Sequence, residues 1–518
     1  MFGLQRRSDT TTERTTVADE VRAQGGRWWR LYGQVMFVTL VLAAFAYKWA
    51  PHPAPATIAV YFVLMVSILV RPVTGLYVIT FLTLVGDNVV AAWYPFANNF
   101  SSRQSISFVS DSLVITPIEV MLVVTILAWL LHMYRAHHWT FRRGALNAPM
   151  MVFGGLVLFA LGRAMVASGD NRVAVFEGRA LVFLPVLYLL IVQLVDTRRQ
   201  FVTLMVAALA GIIAQSFLAI QYYLTLDAEA RSDLEALTEH AASVHVAALL
   251  LITVASWVIP GCSRALRWSM LLASIPAVVV FAIAQRRSAA VALAIGFVLL
   301  LVVLWRVRRR LLFVLVPLTV LLGAGYVVAF WNTTGPMGLG AQAFKSVVAP
   351  DELDRVDQNS SLYREIEAVD LWYTIHAAPL QGVGFGNPFY QPLALPHLEA
   401  FEFRNYIPHN TFLWIWLKLG VAGFIAMLFL FARAIQHGAR SVVRLARGND
   451  AALMMGAVGY VAMYLVFTYV DIGWEARSTV FLAVAMAWCA DYLNSAPEPG
   501  RKPVPTRAPS ARGALPGA

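Results

Sequence analysis

Long, almost uncharged apolar blocks recur along nearly the whole chain, and they limit what it can fold into. A helix crossing about 30 Å of hydrocarbon needs about 20 mostly apolar residues. The sequence contains 14 blocks of about that kind, at approximately 31–50, 56–70, 72–94, 113–134, 148–167, 180–195, 201–225, 241–259, 268–285, 288–305, 311–331, 410–432, 451–470 and 478–493. Lipid offers no partner to backbone N–H and C=O groups, so segments of this length and character are expected as helices. The fold class expected is therefore an all-α polytopic membrane protein with about 14 transmembrane helices. Composition agrees: 59% of the 518 residues are hydrophobic and only 13% charged, against about a quarter charged in soluble domains. A soluble enzyme is excluded.

Orientation follows from the excess of Lys and Arg in cytoplasmic loops. With the N-terminus inside, Arg71, Arg135, Arg142, Arg143, Arg198, Arg199, Arg264, Arg267, the run from Arg306 to Arg310 and the cluster from Arg433 to Arg447 all fall on the cytoplasmic side. The formal net charge of +11 is thus largely a topology signal and offers no support for nucleic-acid binding. Residues 1–30 read as a cytoplasmic tail, 31–331 as a membrane domain of about 11 spans, 332–409 as a large external loop, and 410–493 as a membrane domain of about three spans. Residues 494–518 read as a disordered cytoplasmic tail rich in Pro, Arg, Ala and Gly. The first block is full length with no small-residue cleavage site behind it, so it reads as a span and not as a cleaved signal peptide. Cys262 and Cys489 give neither a disulfide framework nor a metal spacing.

The loop at 332–409 far exceeds ordinary connections, and loops of that length are usually functional or disordered. Its aromatic content (Trp372, Tyr373, Phe385, Phe389, Tyr390, Phe401) argues against disorder. Leu362, Ile366, Val369 and Tyr373 recur at helical steps, which predicts an amphipathic helix able to lie on the membrane surface. The Gly382-Val383-Gly384-Phe385-Gly386 run lacks the strand–turn–helix context and the Gly-Lys-Ser/Thr of a nucleotide loop. Tight turns with close backbone approach account for it.

Charges that defy the topology rule are the informative ones. Arg286 and Arg287 lie between two apolar blocks on the external side, where an arginine at a helix centre would cost about 2.5–3.5 kcal/mol. They either snorkel to headgroups from a tight turn or form a phosphate site, since guanidinium groups give bidentate hydrogen bonds to phosphate oxygens. Arg163, Arg179, Arg364 and Arg477 fall on the same side. Local ion pairs, such as Glu177 with Arg179 and Glu475 with Arg477, are the simpler reading for Arg163, Arg179 and Arg477. His409 precedes Asn410, which fits a helix N-cap, with Pro408 explaining the break. A histidine there is either an interfacial residue without a task or an imidazole that takes a proton near pH 7. Asp87 and Glu119 suit a proton pathway or, equally, capping and pairing. No HExxH, Cys/His cluster or paired-carboxylate signature occurs, so no metal ligands are assigned.

Three blocks together resemble the bacterial O-antigen ligase and O-antigen polymerase family of integral membrane glycosyltransferases. They are Gln285-Arg286-Arg287-Ser288-Ala289-Ala290; Tyr363-Arg364-Glu365 through Trp372 to Pro379-Leu380-Gln381-Gly382-Val383-Gly384-Phe385-Gly386-Asn387; and Pro408-His409-Asn410-Thr411-Phe412-Leu413 with Leu419-Gly420-Val421-Ala422-Gly423. The resemblance implies a GT-C-like fold in a bacterial inner membrane, with both termini cytoplasmic and the active site external. It also implies inverting, metal-independent transfer of a glycan from an undecaprenyl-diphosphate-linked donor to an acceptor sugar hydroxyl, without a cofactor. On that reading Arg287 and Arg364 hold the diphosphate, Arg286 and Arg179 assist, and His409 orients or deprotonates the acceptor. Gly382, Gly384 and Asn410 support the loop. The implied partners are the lipid-linked donor, a glycan or lipid-linked acceptor and the bilayer, with room for other polysaccharide-assembly proteins and none for nucleic acid. The chain departs from the family pattern at Lys418, where members often carry Glu, and 14 spans exceed the 12 typical of ligases, a slight tilt toward polymerases. The alternative from another class is a flippase for lipid-linked oligosaccharide, which should show two internal repeats and a cationic mid-membrane cavity.

Overall fold

The computed structural model describes residues 54–495 except 97, 138, 167–168, 233–236, 334, 354 and 396–402. The N-terminal tail, the block at 31–50 and almost all of the C-terminal tail lie outside the described residues. Within them the chain is helical, with no strand. Numbered from the first described helix, the elements are α1 (Ala54–Val70), α2 (Pro72–Val85), α3 (Pro117–Arg135), α4 (Asn147–Val166), α5 (Asn171–Leu194), α6 (Arg198–Thr225), α7 (Ala228–Ser232) and α8 (Ala242–Val258). They continue as α9 (Arg264–Ala284), α10 (Arg287–Val307), α11 (Arg309–Ala329), α12 (Leu339–Val348), α13 (Arg355–Ala377), α14 (Thr411–Leu445), α15 (Asn449–Val470) and α16 (Ala476–Asp491).

Every remaining apolar block falls on one of these helices. Among the described residues, nine are long and apolar enough to cross a membrane, while α1, α2 and α8 are apolar but shorter. Length and composition therefore support an all-α polytopic membrane protein, but not a count of 14 crossings. The block expected at 72–94 is helical only to Val85. Helix starts follow the local chemistry. Thr116 and Glu119 form a capping box before α3, with Pro117 in its first turn, and Thr197 and Gln200 form another before α6. Such reciprocal bonds satisfy N–H groups that have no partner inside the helix.

The core is built on the C-terminal helices. α15 and α16 are almost wholly buried, and α15 packs on α14, α8 and α10. α11 buries only Leu312 and presents apolar side chains outward, as a lipid-facing helix should. The pair around Arg286 and Arg287 is resolved as two helices. α9 ends at Ala284, Gln285 turns with φ of 49°, and α10 starts at Arg287.

Candidate functional site

Four connections meet at one end of the bundle, the end that carries the 332–409 segment. Asn410 caps α14 by accepting the Leu413 amide through its side-chain oxygen at 3.0 Å, which leaves His409 one step before the cap. Glu367, on α13, holds His409 twice: one carboxylate oxygen accepts the His409 backbone N–H at 2.9 Å and the other lies 3.2 Å from Nδ1. The His409 ring also contacts Tyr363 edge-on at 5.4 Å and His240 at 6.3 Å between centroids. His240 in turn places Nδ1 2.6 Å from Oδ1 of Asp471, the buried residue that ends α15. Ser288, in the first turn of α10, donates its hydroxyl to the other Asp471 oxygen at 2.9 Å.

The arginines converge on the same carboxylate. Burial alone would raise Asp471, but His240, Arg286 and Arg364 together hold it well below the usual carboxylate range. Arg286 is the N-cap of α10 and has no side-chain capping bond. The Nε atoms of Arg286 and Arg364 are buried with no hydrogen-bond partner among the described residues. Arg287 opens α10 beside them, half-buried. Buried guanidinium N–H groups are expensive to leave unmet, and helix N-termini favour anions. The arrangement can hold an anionic group next to an imidazole.

Arg179 is placed elsewhere. Its guanidinium lies 3.8 Å from Glu119 and 3.2 Å from Asn99. The pairing expected with Glu177 does not form. Glu177 instead meets Lys418 at 2.8 Å with both side chains fully enclosed, because a buried ammonium in α14 requires a carboxylate close by. Arg477 does pair with Glu475, at 3.0 Å, and also with Asp87 and Glu239. Asp87 is thus engaged in an ion pair and Glu119 in a cap. Arg163 makes no ion pair among the described residues and bonds the carbonyls of Gln381 and Gly382.

The glycine run is a structural clamp. α14 breaks at Gly420, whose φ of 71° and ψ of −175° are not helical. The Leu417 carbonyl accepts the Val383 amide at 2.7 Å, and the Val421 amide donates to Pro379. Gly382 has φ of +65°, and a Cβ there would sit 2.5 Å from the Leu417 oxygen. At Gly384, φ is +82° and a Cβ would meet the Arg163 guanidinium at 3.0 Å. Glycine is needed at both positions.

His240, Asp471 and Glu367 escaped the sequence reading. His240 and Asp471 are 231 residues apart, and Glu367 lies 42 residues from His409, on the polar face of α13. That face is the buried one: Tyr363, Glu367, Asp370 and Leu371 are enclosed, while Leu362, Val369 and Tyr373 of the expected apolar stripe are exposed.

Fold and site define a polytopic membrane protein with a guanidinium and histidine centre where its long inter-helix segment meets the bundle. The family described as O-antigen ligase matches residues 271–428, a stretch running from α9 through the Arg286–Ser288 turn, α13 and His409 into α14. The O-antigen ligase of Salmonella typhimurium is 29% identical over 141 residues, covering 25% of this chain and 35% of that protein. That segment of the chain is similar to the O-antigen ligase family. It spans about a third of the length of the curated relative it matches.

Proposed function

We propose that the protein transfers a glycan from an undecaprenyl-diphosphate-linked donor to an acceptor sugar hydroxyl at the external face of a bacterial inner membrane. One observation carries the reading: Arg286 and Arg364, whose buried Nε atoms have no hydrogen-bond partner among the described residues, both act on Asp471, which holds the His240 ring that contacts His409. With its proton on Nδ1, directed at Glu367, His409 keeps the Nε2 lone pair for the acceptor O–H. The acceptor oxygen bonds to the anomeric carbon as that carbon's bond to the phosphate oxygen breaks. The acceptor proton goes to Nε2, and the electron pair leaves with the lipid diphosphate. Arg286, Arg287 and Arg364 stabilise the charge growing on that leaving group more in the transition state than before it. A single displacement inverts the anomeric centre. Guanidinium groups supply the positive charge that a metal ion supplies elsewhere, so transfer is expected to survive chelation. Arg179, paired with Glu119, is left out of the diphosphate site.

The test is transfer from a purified lipid-linked donor by the full chain in proteoliposomes. Arg364→Ala and His409→Ala should each lower the rate by about a hundredfold or more. Full activity in both variants, or lipid translocation without transfer in the unsubstituted protein, overturns the reading.

A further inference from the structure

A partly open cavity lies beside the arginine centre. It is a cavity of about 330 Å³, at the small end of the usual 300–1,000 Å³ for ligand sites. Three pairs of consecutive residues form the partition. Glu239, Thr411 and Ile472 line the cavity, while their chain neighbours His240, Asn410 and Asp471 belong to the centre around His409.

The cavity chemistry is unlike that of the arginine centre. Arg477 is shared among Asp87, Glu239 and Glu475, and Arg179 faces Glu119, so carboxylates outnumber guanidinium groups. Burial holds the Glu475 carboxyl above the usual carboxylate range against the pull of Arg477, and Glu239 adds to it. An anion is disfavoured in such surroundings, which argues against a phosphate. Two further groups point to a ligand with hydroxyls. Trp474 and Thr83 both line the cavity and are only 8% and 5% exposed, with Trp474 Nε1 and Thr83 Oγ1 buried. Neither atom has a hydrogen-bond partner among the described residues. A buried donor left unmet costs about 1–3 kcal/mol, so the cavity is built for something that meets it. Phe176 and Trp414 supply apolar wall, and aromatic faces beside carboxylates suit a polyol with one hydrophobic face.

We propose that this cavity is a binding subsite for an uncharged saccharide unit of the acceptor, held through its hydroxyls by Trp474 Nε1, Thr83 Oγ1 and the Glu119 and Glu475 carboxyls. The proposal rests on the transferase reading for the word acceptor, but not for the word saccharide. The subsite sets which glycan presents its hydroxyl next to His409, and it takes one or two rings, not a long chain.

The experiment uses the full-length protein in detergent and four neutral probes: the methyl glycosides of glucose, galactose, N-acetylglucosamine and rhamnose. Binding is followed by saturation-transfer NMR. At least one probe should bind saturably, and Trp474→Phe and Thr83→Val, which keep ring and shape, should each weaken it about threefold to tenfold, the worth of one hydrogen bond. Methyl glucuronide should bind more weakly than methyl glucoside. The assignment is overturned if no neutral glycoside binds, if both substitutions leave binding unchanged, or if the glucuronide binds as well as the glucoside. Glycan transfer measured on the same preparations separates the two ideas. Saccharide binding without transfer removes the transferase reading and keeps the cavity assignment, whereas transfer without saccharide binding removes the cavity assignment alone.

Discussion

Glu367 is the residue on which the role of His409 turns. It lies 42 positions away in sequence, is buried, and takes both the backbone N–H and the Nδ1 side of the same histidine. A carboxylate spent in this way fixes the ring and leaves Nε2 as the nitrogen not engaged by Glu367. Replacing Glu367 with Gln keeps an acceptor but loses the charge assistance, worth about 1–1.5 kcal/mol on the usual difference between charged and neutral hydrogen bonds. Glu367→Gln is therefore expected to lower kcat about tenfold and leave donor KM nearly unchanged. Glycan transfer rates over a range of donor concentrations check it; a rise in KM at constant kcat would mean that Glu367 acts on binding instead. Arg286 and His409 stand out in the sequence because charges and a helix cap fall where apolar blocks begin, whereas Arg364, inside the long loop, is singled out by the family resemblance. Glu367, His240 and Asp471 do not stand out. Each is an ordinary polar residue until the fold brings it to its partner, and no local pattern marks a pairing across 42 or 231 positions.

At the scale of elements, α14 and the glycine run form one device. Breaking a membrane helix frees backbone groups that lipid cannot satisfy, and here the Val383 amide and the Pro379 carbonyl take them up. Lys418 locks the same joint: its ammonium reaches the Asn387 carbonyl at 2.6 Å and Glu177 at 2.8 Å. Glu177 also accepts the Gly386 amide at 2.7 Å. Removing one member of such a pair leaves the other charge buried alone, at a cost of about 3–5 kcal/mol, whereas removing both is far milder. Lys418→Leu should therefore lower the thermal midpoint in detergent sharply, and Lys418→Leu with Glu177→Leu should recover part of the loss. A double variant no more stable than the single one would show that the Asn387 and Gly386 bonds, not the ion pair, hold the joint. The helices themselves were legible because bilayer thickness sets their length. The break at Gly420 and the inward turn of the polar face of α13 were not, since both answer to contacts with other elements. Lys418 stood out only as a departure from the family pattern, and its partner Glu177 had been assigned by proximity in sequence to Arg179.

For the whole molecule, orientation decides which leaflet the arginine centre can serve. The centre and the 332–409 segment share one end of the bundle, while the arginine-rich connections at 135–143, 264–267 and 306–310 occupy positions at the opposite ends of their helices. Basic connections stay cytoplasmic during insertion, so the centre is expected to face outward. Both native cysteines are buried, which allows a direct test with single introduced thiols at exposed positions. Gln391→Cys, in the long segment, should react with a membrane-impermeant maleimide added to intact spheroplasts. Thr140→Cys, between α3 and α4, should react only after the membrane is opened. The reverse pattern would put Arg286, Arg364 and His409 on the cytoplasmic side. Transfer to an external acceptor would then be ruled out whatever the chemistry of the site, because donor and acceptor would lie across the bilayer from it.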